Sequence, residues 1–412
     1  MKKLLVIGKN WPEPKTTAAG YRMLQLLEIF KENSYSVHFC SATQKSKYSF
    51  DLESIGIKEQ TVFLNDDSFD TYIQNLQPDI VLYDRFMTEE QYSWRVRENS
   101  STCIHILDTE DLHFLRKARE VVLKKKQPLN LYNEVAMREI ASISRCDLSM
   151  IISTIEFDLL QKDFEIPKSK LVYIPFLYSD AKREKLTFNQ NSFQKRSNFV
   201  MIGNSLHEPN YDAILYMKKE IWPLIRKTLP QVEVHIYGAY QSDKITQLHN
   251  EKDGFLIKGF ASDAYETLAN YRILLAPLRF GAGLKGKIFD ALHTATPVAM
   301  TSIAAEAMFV NSAPFGFIED EMINYATYCV ELYQSKEQWN EVSGKHLEIL
   351  KSNYDRSAFA KALLLQISKI DIKSDEQQSP LEHFNLKMLN YHSNARFKYL
   401  SKWIALKNSN QA

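Results

Sequence analysis

The stretch Arg272-Ile-Leu-Leu-Ala-Pro277-Leu-Arg279-Phe-Gly281-Ala-Gly283-Leu-Lys285-Gly286-Lys287-Ile-Phe-Asp290-Ala-Leu292 decides the fold. It begins with an uninterrupted apolar run, which predicts a strand that is buried on both faces and ends near Pro277. Three glycines follow, and the pattern over Leu284 to Ala295 then predicts a helix. A buried strand that leads through a glycine-rich turn into a helix is the repeating unit of a parallel α/β sheet.

The chemistry of this junction indicates a phosphate site. Free amide N–H groups of the turn, including that of Gly283, converge there with the positive end of the helix. Arg279, Lys285 and Lys287 add mobile positive charge, as is needed to neutralise a diphosphate. The alternative is an ordinary turn with solvated cations, but the coincidence of three glycines and three cations favours phosphate binding.

Apolar runs of the same kind recur along the chain and predict two sheets. In the first half they are Lys3 to Gly8, Ser36 to Ala42, Asp79 to Asp84, Thr102 to Leu107, Leu148 to Ser153 and Leu171 to Pro175. In the second half they are Asn198 to Gly203, Val232 to Gly238, Phe255 to Lys258, Arg272 to Pro277 and Pro297 to Thr301. The expected fold is therefore α/β, with two doubly wound, Rossmann-like domains that face each other across a cleft, at residues 1–190 and 196–352.

Composition excludes several classes of protein. The 412 residues carry 51 basic and 50 acidic side chains, a formal net charge of +1, so no global field gathers a polyanion and nucleic acid is not expected as a partner. No Cys-x-x-Cys spacing occurs, and no cluster has convincing metal-ligand spacing. No apolar run reaches the roughly 18 residues of a membrane span, and Met1 to Gly8 is too short for a signal peptide. These features predict a cytoplasmic protein.

The C-terminal part differs in character from the rest. Residues 353–372 have the pattern of an amphipathic helix that returns from the second domain, and residues 373–412 form an amphipathic basic tail after a polar break. The tail is expected to lie on a membrane surface, on its own domain or on a protein partner.

Two further segments contribute candidate site residues from their position alone. Gly203 and Asn204 follow the first strand of the second domain, so their amides are expected to point into the cleft. In the first domain, Asp108, Asp111 and His113 follow a predicted strand, and they belong to a run with more titratable groups than an ordinary turn carries, which indicates contact with a ligand. A helix N-terminus also favours acidic residues for structural reasons, so both readings stay open for this segment.

The glycine-rich window, together with Thr296 to Thr301 and Ala304 to Ala307, resembles the retaining GT-B glycosyltransferases of family four over most of residues 1–352. The resemblance implies that Arg279 with Lys285 or Lys287 binds the donor diphosphate and that Asp290 binds the ribose hydroxyls. It also implies that backbone groups near Gly259 position the base, and that Glu306 faces the donor or braces the loop. The family pattern has two glutamates separated by seven residues, and here Ala282 and Asp290 occupy those places.

The resemblance further implies the reaction. A sugar would pass from a nucleotide-diphosphate donor to a glycan, lipid-linked or protein acceptor, with Arg279 and Lys285 stabilising the leaving group and with neither metal nor cofactor. Two alternatives stay open: a non-catalytic subunit that binds nucleotide sugars, and a nucleotide-sugar epimerase. A dinucleotide-dependent oxidoreductase is disfavoured, because Gly8 is not followed by Gly-x-Gly-x-x-Gly.

Overall fold

Two parallel sheets, with helices between their strands, form the computed structural model, which describes residues 1–180, 192–372 and 380–409. The first sheet has the order β3-β2-β1-β4-β5-β6-β7. Its strands are β1 Lys3–Gly8, β2 Ser36–Ser41, β3 Lys58–Thr61, β4 Ile80–Asp84, β5 Ile104–Asp108, β6 Leu148–Ile151 and β7 Leu171–Tyr173. The alternating side chains of β1 explain its uninterrupted apolar run. Leu4 and Val6 pack into one core cluster, and Leu5 and Ile7 pack into another.

The second sheet has the order β10-β9-β8-β11-β12-β13. Its strands are β8 Ser197–Ile202, β9 Val234–Tyr237, β10 Phe255–Gly259, β11 Tyr271–Ala276, β12 Val298–Met300 and β13 Gly316–Ile318. In both sheets the strand order reverses beside the first strand of the domain, β1 or β8. Ligands of doubly wound sheets collect at such a reversal, outside the carboxyl ends of the strands.

The helices separate these strands and continue beyond the second sheet. They are α1 Ala18–Glu32, α2 Ser68–Leu76, α3 Phe86–Asn99, α4 His113–Lys125, α5 Glu134–Arg145, α6 Thr154–Lys162, α7 Glu208–Tyr216, α8 Trp222–Thr228, α9 Asp243–Thr246, α10 Ala264–Leu268, α11 Gly286–His293, α12 Ser302–Ala305, α13 Met322–Gln334, α14 Lys336–Gly344, α15 His346–Tyr354, α16 Arg356–Ile372, α17 Pro380–Ser393 and α18 Tyr399–Ser409. The π-helical segments Met217–Ile221 and Asn394–Lys398 join α7 to α8 and α17 to α18.

The predicted return helix lies on the first domain. Leu363 and Ile367 of α16 are buried in the core cluster that also contains Leu4 and Val6 of β1. Residues 181–191, near the predicted boundary between the two domains, lie outside the described residues, as do residues 373–379 and 410–412 of the predicted tail.

The tail docks on the first domain through polar contacts. Ser401 of α18 is buried, and its hydroxyl oxygen accepts a hydrogen bond from Arg95 of α3 at 3.3 Å. Lys398 forms an ion pair with Glu98 of the same helix. Of the three predicted positions for the tail, this structure has the one on its own domain.

All eleven predicted strands are present, and the two that the sequence did not indicate are short edge strands. The residues of β3, Lys-Glu-Gln-Thr, are almost fully polar and mostly exposed. The residues of β13, Gly-Phe-Ile, are too few to form a recognisable run, and none is fully buried. An edge strand has one neighbour and little burial, so the apolar pattern that reveals a central strand is missing.

Gly316 offers a test of the packing between β12 and β13. A Cβ atom on this residue would lie 1.9 Å from the carbonyl oxygen of Val298, and its φ of +129° is strained for a side chain. We predict that Gly316→Ala lowers the free energy of unfolding by about 2–4 kcal/mol, as measured by urea denaturation. Gly344→Ala is the control. The space around Gly344 is open and it ends α14, so alanine there should change stability by less than about 1 kcal/mol. Equal effects of the two substitutions would contradict the prediction.

Candidate active site

The glycine-rich loop between β11 and α11 lies directly against the first domain. A Cβ atom on Gly283 would lie 2.7 Å from the Cβ of Asp111, and one on Gly286 would lie 2.4 Å from the Cβ of Ala18. Gly283 also has a φ of +64°. These glycines therefore permit a close approach between the domains, in addition to shaping the turn.

The amide of Gly283 already has a carboxylate partner. It donates to Oε1 of Glu156 at 2.7 Å, and the same oxygen accepts the amide of Leu112 at 3.0 Å. Burial raises the pKa of Glu156 to about 7, and the nearby charge of Asp111 adds to the rise. The N–H of Gly283 thus donates to a side chain of the first domain, and its predicted role in phosphate binding stays a prediction.

Two of the three predicted cations lie together at the start of α11. Lys285 is buried, and its Nζ donates to the carbonyl oxygen of Gly283 at 2.6 Å. Nζ of Lys287 donates to Oδ1 of Asn210 at 2.8 Å. Burial lowers the pKa of each lysine to about 8, and the charge of Lys285 further lowers that of Lys287. The first turn of this helix thus concentrates positive charge.

Arg279, the third predicted cation, is engaged elsewhere. Its guanidinium makes a bidentate contact with Asp212 of α7, with 2.9 Å from Nε to Oδ2 and 2.5 Å from Nη2 to Oδ1. It also lies over the ring of Tyr216 at 4.7 Å. The structure does not bring Arg279 together with Lys285 and Lys287, so its role in phosphate binding stays a prediction.

The remaining predicted donor residues line the same side of the second domain. A Cβ on Gly203 would lie 3.2 Å from Nζ of Lys287, which places the loop of Gly203 and Asn204 beside this cation. Gly259 has a φ of +85° and no atom within 4 Å of the place of a Cβ, so its backbone is open to close approach.

Asp290 is hydrogen-bonded to Tyr265, which also forms a hydrogen bond with Tyr21 of the first domain. Burial raises the pKa of Asp290 to about 7.

Glu306 braces the loop across the cleft. Its two carboxylate oxygens accept from Nη1 and Nη2 of Arg119 at 2.9 and 2.7 Å. Nη1 of Arg119 also donates to the carbonyl oxygen of Gly281 at 2.8 Å. Of the two roles that the resemblance implied for Glu306, the contacts in this structure are those of the bracing role. Arg119 lies in the middle of α4, and nothing in its sequence context indicated this contact.

The two predicted carboxylates of the first domain, Asp108 and Asp111, have different partners. Asp108 is buried, and its Oδ1 accepts from Nη2 of Arg22 at 3.1 Å, while its Oδ2 has no partner among the described residues. Asp111 forms an ion pair with Arg116, and Nε2 of His113 lies 3.5 Å from Oδ1 of Asp111. Burial lowers the pKa of His113 to about 3, so the imidazole is neutral at pH 7. For Asp111, burial opposes ionisation, but the charge of Arg116 outweighs it and holds the pKa below its usual range.

The structure adds site residues that the sequence analysis did not single out. Asp84 ends β4 opposite Asp108 in the register, and it lines the interdomain cavity with Arg85. Glu110 is buried with a φ of +62°, and burial together with the charge of Asp108 raises its pKa to about 8. The position of Asp84 and Arg85 at the end of a predicted strand was the available signal for this pair.

A cavity of about 320 Å³ lies between the two domains. Thr17, Gly20, Asp84 and Arg85 line it from the first domain, and Asn204, Leu206 and Tyr240 line it from the second. Tyr240 donates to Glu13 at 2.8 Å, which joins the domains at one side of the cavity. Because Asn204 lines the cavity and Gly203 lies beside Lys287, the space adjoins the positive start of α11.

Comparison with known proteins identifies the second domain. Residues 196–334 match the model of the family described as glycosyl transferases group 1. An uncharacterized 44.6 kDa protein of the cps region of Klebsiella pneumoniae is 23% identical over 293 residues, which cover 66% of this chain and 71% of that protein. The match confirms the predicted resemblance and, for this domain, the predicted enzyme class of glycosyltransferase.

Solved glycosyltransferase structures share the whole fold. A point mutant of S. aureus TarM, in complex with fondaparinux, alpha-GlcNAc-glycerol and UDP, superposes with a TM-score of 0.68 at 11% identity, covering 89% of this chain and 99% of that one. The pneumococcal O-GlcNAc transferase GtfA, in complex with UDP and GlcNAc, gives 0.66 at 11% identity over 90% and 99%. The predicted GT-B arrangement of two Rossmann-like domains is therefore confirmed.

The contact of Arg119 with Glu306 and Gly281 predicts a stability effect. Arg119→Met leaves two partly buried acceptors of the second domain unpaired, so we expect it to lower the free energy of unfolding by about 1–3 kcal/mol in urea denaturation. Lys117→Met is the matched control on α4, because Lys117 is exposed and pairs only within its own helix. Its effect should stay within about 0.5 kcal/mol. An Arg119 variant as stable as the control would show that this contact contributes nothing.

Proposed function

We propose that this chain, whose residues 196–334 match the group 1 glycosyl transferase family, is a retaining glycosyltransferase that uses a nucleotide-diphosphate sugar. The observation that carries the proposal is the pair Lys285 and Lys287, held at the start of α11 beside the loop of Gly203 and Asn204. Burial has lowered the pKa of both lysines, so each gains from an anionic partner.

The reaction places its negative charge where these lysines lie. As the bond from the anomeric carbon to the diphosphate breaks, charge accumulates on the leaving group, and preorganised cations stabilise that charge. The sugar would occupy the adjoining cavity, where Asp84 and Arg85 face it from the first domain. Retention of configuration rests on the resemblance to family four.

The proposal includes no metal and no cofactor, because Lys285 and Lys287 supply the charge that a metal supplies elsewhere. The acceptor is a glycan, a lipid-linked glycan or a protein, and it would enter from the first-domain side of the cavity. The proposed location is the cytoplasm or the inner face of the membrane. Among the described residues, no helix combines the length and the apolar character needed to cross a bilayer.

Removal of the two lysines tests the diphosphate site. We expect UDP or GDP to raise the melting temperature of the wild-type protein in the presence of EDTA, and Lys285→Met or Lys287→Met to remove most of this rise. In a transfer assay each substitution should lower kcat by a factor of about a hundred or more. Lys227→Met, on the exposed side of α8, is the control and should behave as the wild type. Variants that keep the full nucleotide shift would refute the assignment, and donor turnover without any acceptor would favour an epimerase.

The lowered lysine pKa values predict a pH dependence of nucleotide binding. The lysines bind the diphosphate in their protonated form, and in the free protein their pKa is about 8. The affinity for UDP should therefore be high at pH 7 and fall progressively above about pH 8, as measured by isothermal titration calorimetry. Lys285→Arg keeps its charge throughout this range, so its affinity should fall less steeply. A profile that is flat from pH 7 to 10 in the wild type would contradict the prediction.

A further inference from the structure

A groove of about 510 Å³ lies between the first domain and the docked tail. Leu64 and Met87 line it from the first domain, and Phe397, Leu400 and Ile404 line it from the tail. Leu64 and Leu400 are each about half exposed, at 50% and 51%. Polar and charged residues, among them Glu90 and Arg138, also line the groove, but most of its exposed wall is apolar and open to solvent.

The groove adjoins the interdomain cavity. Asn10 and Thr43 line both spaces, and Lys9 and Thr88 lie on the groove side of this junction. A molecule in the groove could thus place one end in the cavity proposed for the donor sugar. The hydroxyl of Tyr92, which also lines the groove, has no hydrogen-bond partner among the described residues.

Positive charge lies in the groove and on the tail beside it. The cations that line the groove are Lys9 and Arg138 of the first domain, and Arg138 is paired with Glu90. From residue 383 to residue 412 the sequence contains no Asp or Glu and five basic side chains, namely Lys387, Arg396, Lys398, Lys402 and Lys407. One of these, Lys398, is paired with Glu98. The remaining positive charge surrounds exposed apolar side chains, among them Trp403 and Leu406 at 59% and 64% exposure. Basic residues beside exposed apolar ones are typical of surfaces that bind anionic amphiphiles.

We propose that this groove binds the hydrocarbon part of a lipid-linked, phosphate-bearing acceptor, so that the tail completes an acceptor site together with the first domain. This inference rests on the proposed glycosyl transfer and selects the lipid-linked class among its acceptors. The apolar walls would cover the hydrocarbon chain, Lys9 would pair with the phosphate beside Asn10, and the shared residues Asn10 and Thr43 lie toward the donor.

Dodecyl phosphate, below its critical micelle concentration, is the probe. We expect the full-length protein to bind it in isothermal titration calorimetry, and neither inorganic phosphate nor dodecyl maltoside to bind as tightly. Leu64→Asp and Leu400→Asp each place a charge in the apolar wall, so each should weaken binding about tenfold or more. Both side chains are half exposed, so the variants should fold, which circular dichroism verifies.

Leu365→Asp is the matched control, because Leu365 lies on α16 outside the groove and is 52% exposed, like Leu64 and Leu400. It should bind dodecyl phosphate as the wild type does. If the wild type does not bind the probe, or if Leu365→Asp weakens binding as much as the two groove variants, the groove is not the site and the inference fails. Equal affinity for dodecyl maltoside would refute the phosphate-bearing class.

The UDP melting-temperature shift keeps this result separate from the proposed function. Both groove variants should retain the wild-type shift, since neither residue touches the lysines of α11. A wild-type protein that binds dodecyl phosphate but no nucleotide would refute the proposed transfer and leave an amphiphile-binding groove. A protein that binds nucleotide but no dodecyl phosphate would refute the groove alone.

Discussion

The rest of the site depends on the close packing of the glycine-rich loop against the first domain. Gly283 can approach Asp111 only because it has no side chain, and its amide then reaches Glu156 at 2.7 Å. A buried N–H without a partner costs about 1–3 kcal/mol, so Glu156 stabilises the joined arrangement of the two domains. This hydrogen bond occupies the N–H of Gly283, which could otherwise donate to a phosphate oxygen. Under the proposed function, a donor diphosphate that used this amide would displace Glu156, and the raised pKa of this carboxyl would favour displacement because protonation removes its charge.

The balance of buried charges across the cleft follows from this packing. Lys285 is buried without a direct ion pair, and its charge is balanced at longer range by Glu306 and Glu156. Glu306 in turn shares its charge with Arg119 of the first domain. Buried charges are tolerated when opposite charges lie near, and here the opposite charges come from both domains. A diphosphate bound beside Lys285 would bring its own negative charge. It would then take over part of the charge balance that Glu156 and Glu306 provide when the two domains are in contact.

The sequence predicted the fold well because the central strands are buried on both faces and appear as apolar runs. It did not indicate β3 or β13, where the strand lies at an edge and the apolar run is absent. It identified Lys285 and Lys287 from local spacing, since the two residues and the helix start are contiguous. It could not show that Arg279 pairs with Asp212, 67 residues away, or that Arg119 reaches Glu306, 187 residues away. Glu156 illustrates the same limit. Ser153 and Glu156 have the spacing of a helix cap, and the hydroxyl of Ser153 accepts the amide of Glu156, but the carboxylate itself serves the other domain.

The tail shows how a docked segment can retain a second role. Its contacts with the first domain are polar, through Ser401 and Lys398, whereas large apolar side chains such as Tyr399, Trp403 and Leu406 remain exposed. Exposing several such side chains on one basic segment has a solubility cost that docking on the first domain does not remove. Burial of Trp403 and Leu406 against hydrocarbon would offset that cost at about 25 cal/mol per Å² of apolar area. Arg95 and Glu98 hold Ser401 and Lys398, and Leu400 between them lines the groove together with Ile404 of α18. The polar contacts that dock the tail therefore also place its apolar side chains in the wall of the groove, and hydrocarbon that filled the groove would reduce the exposure of Leu400.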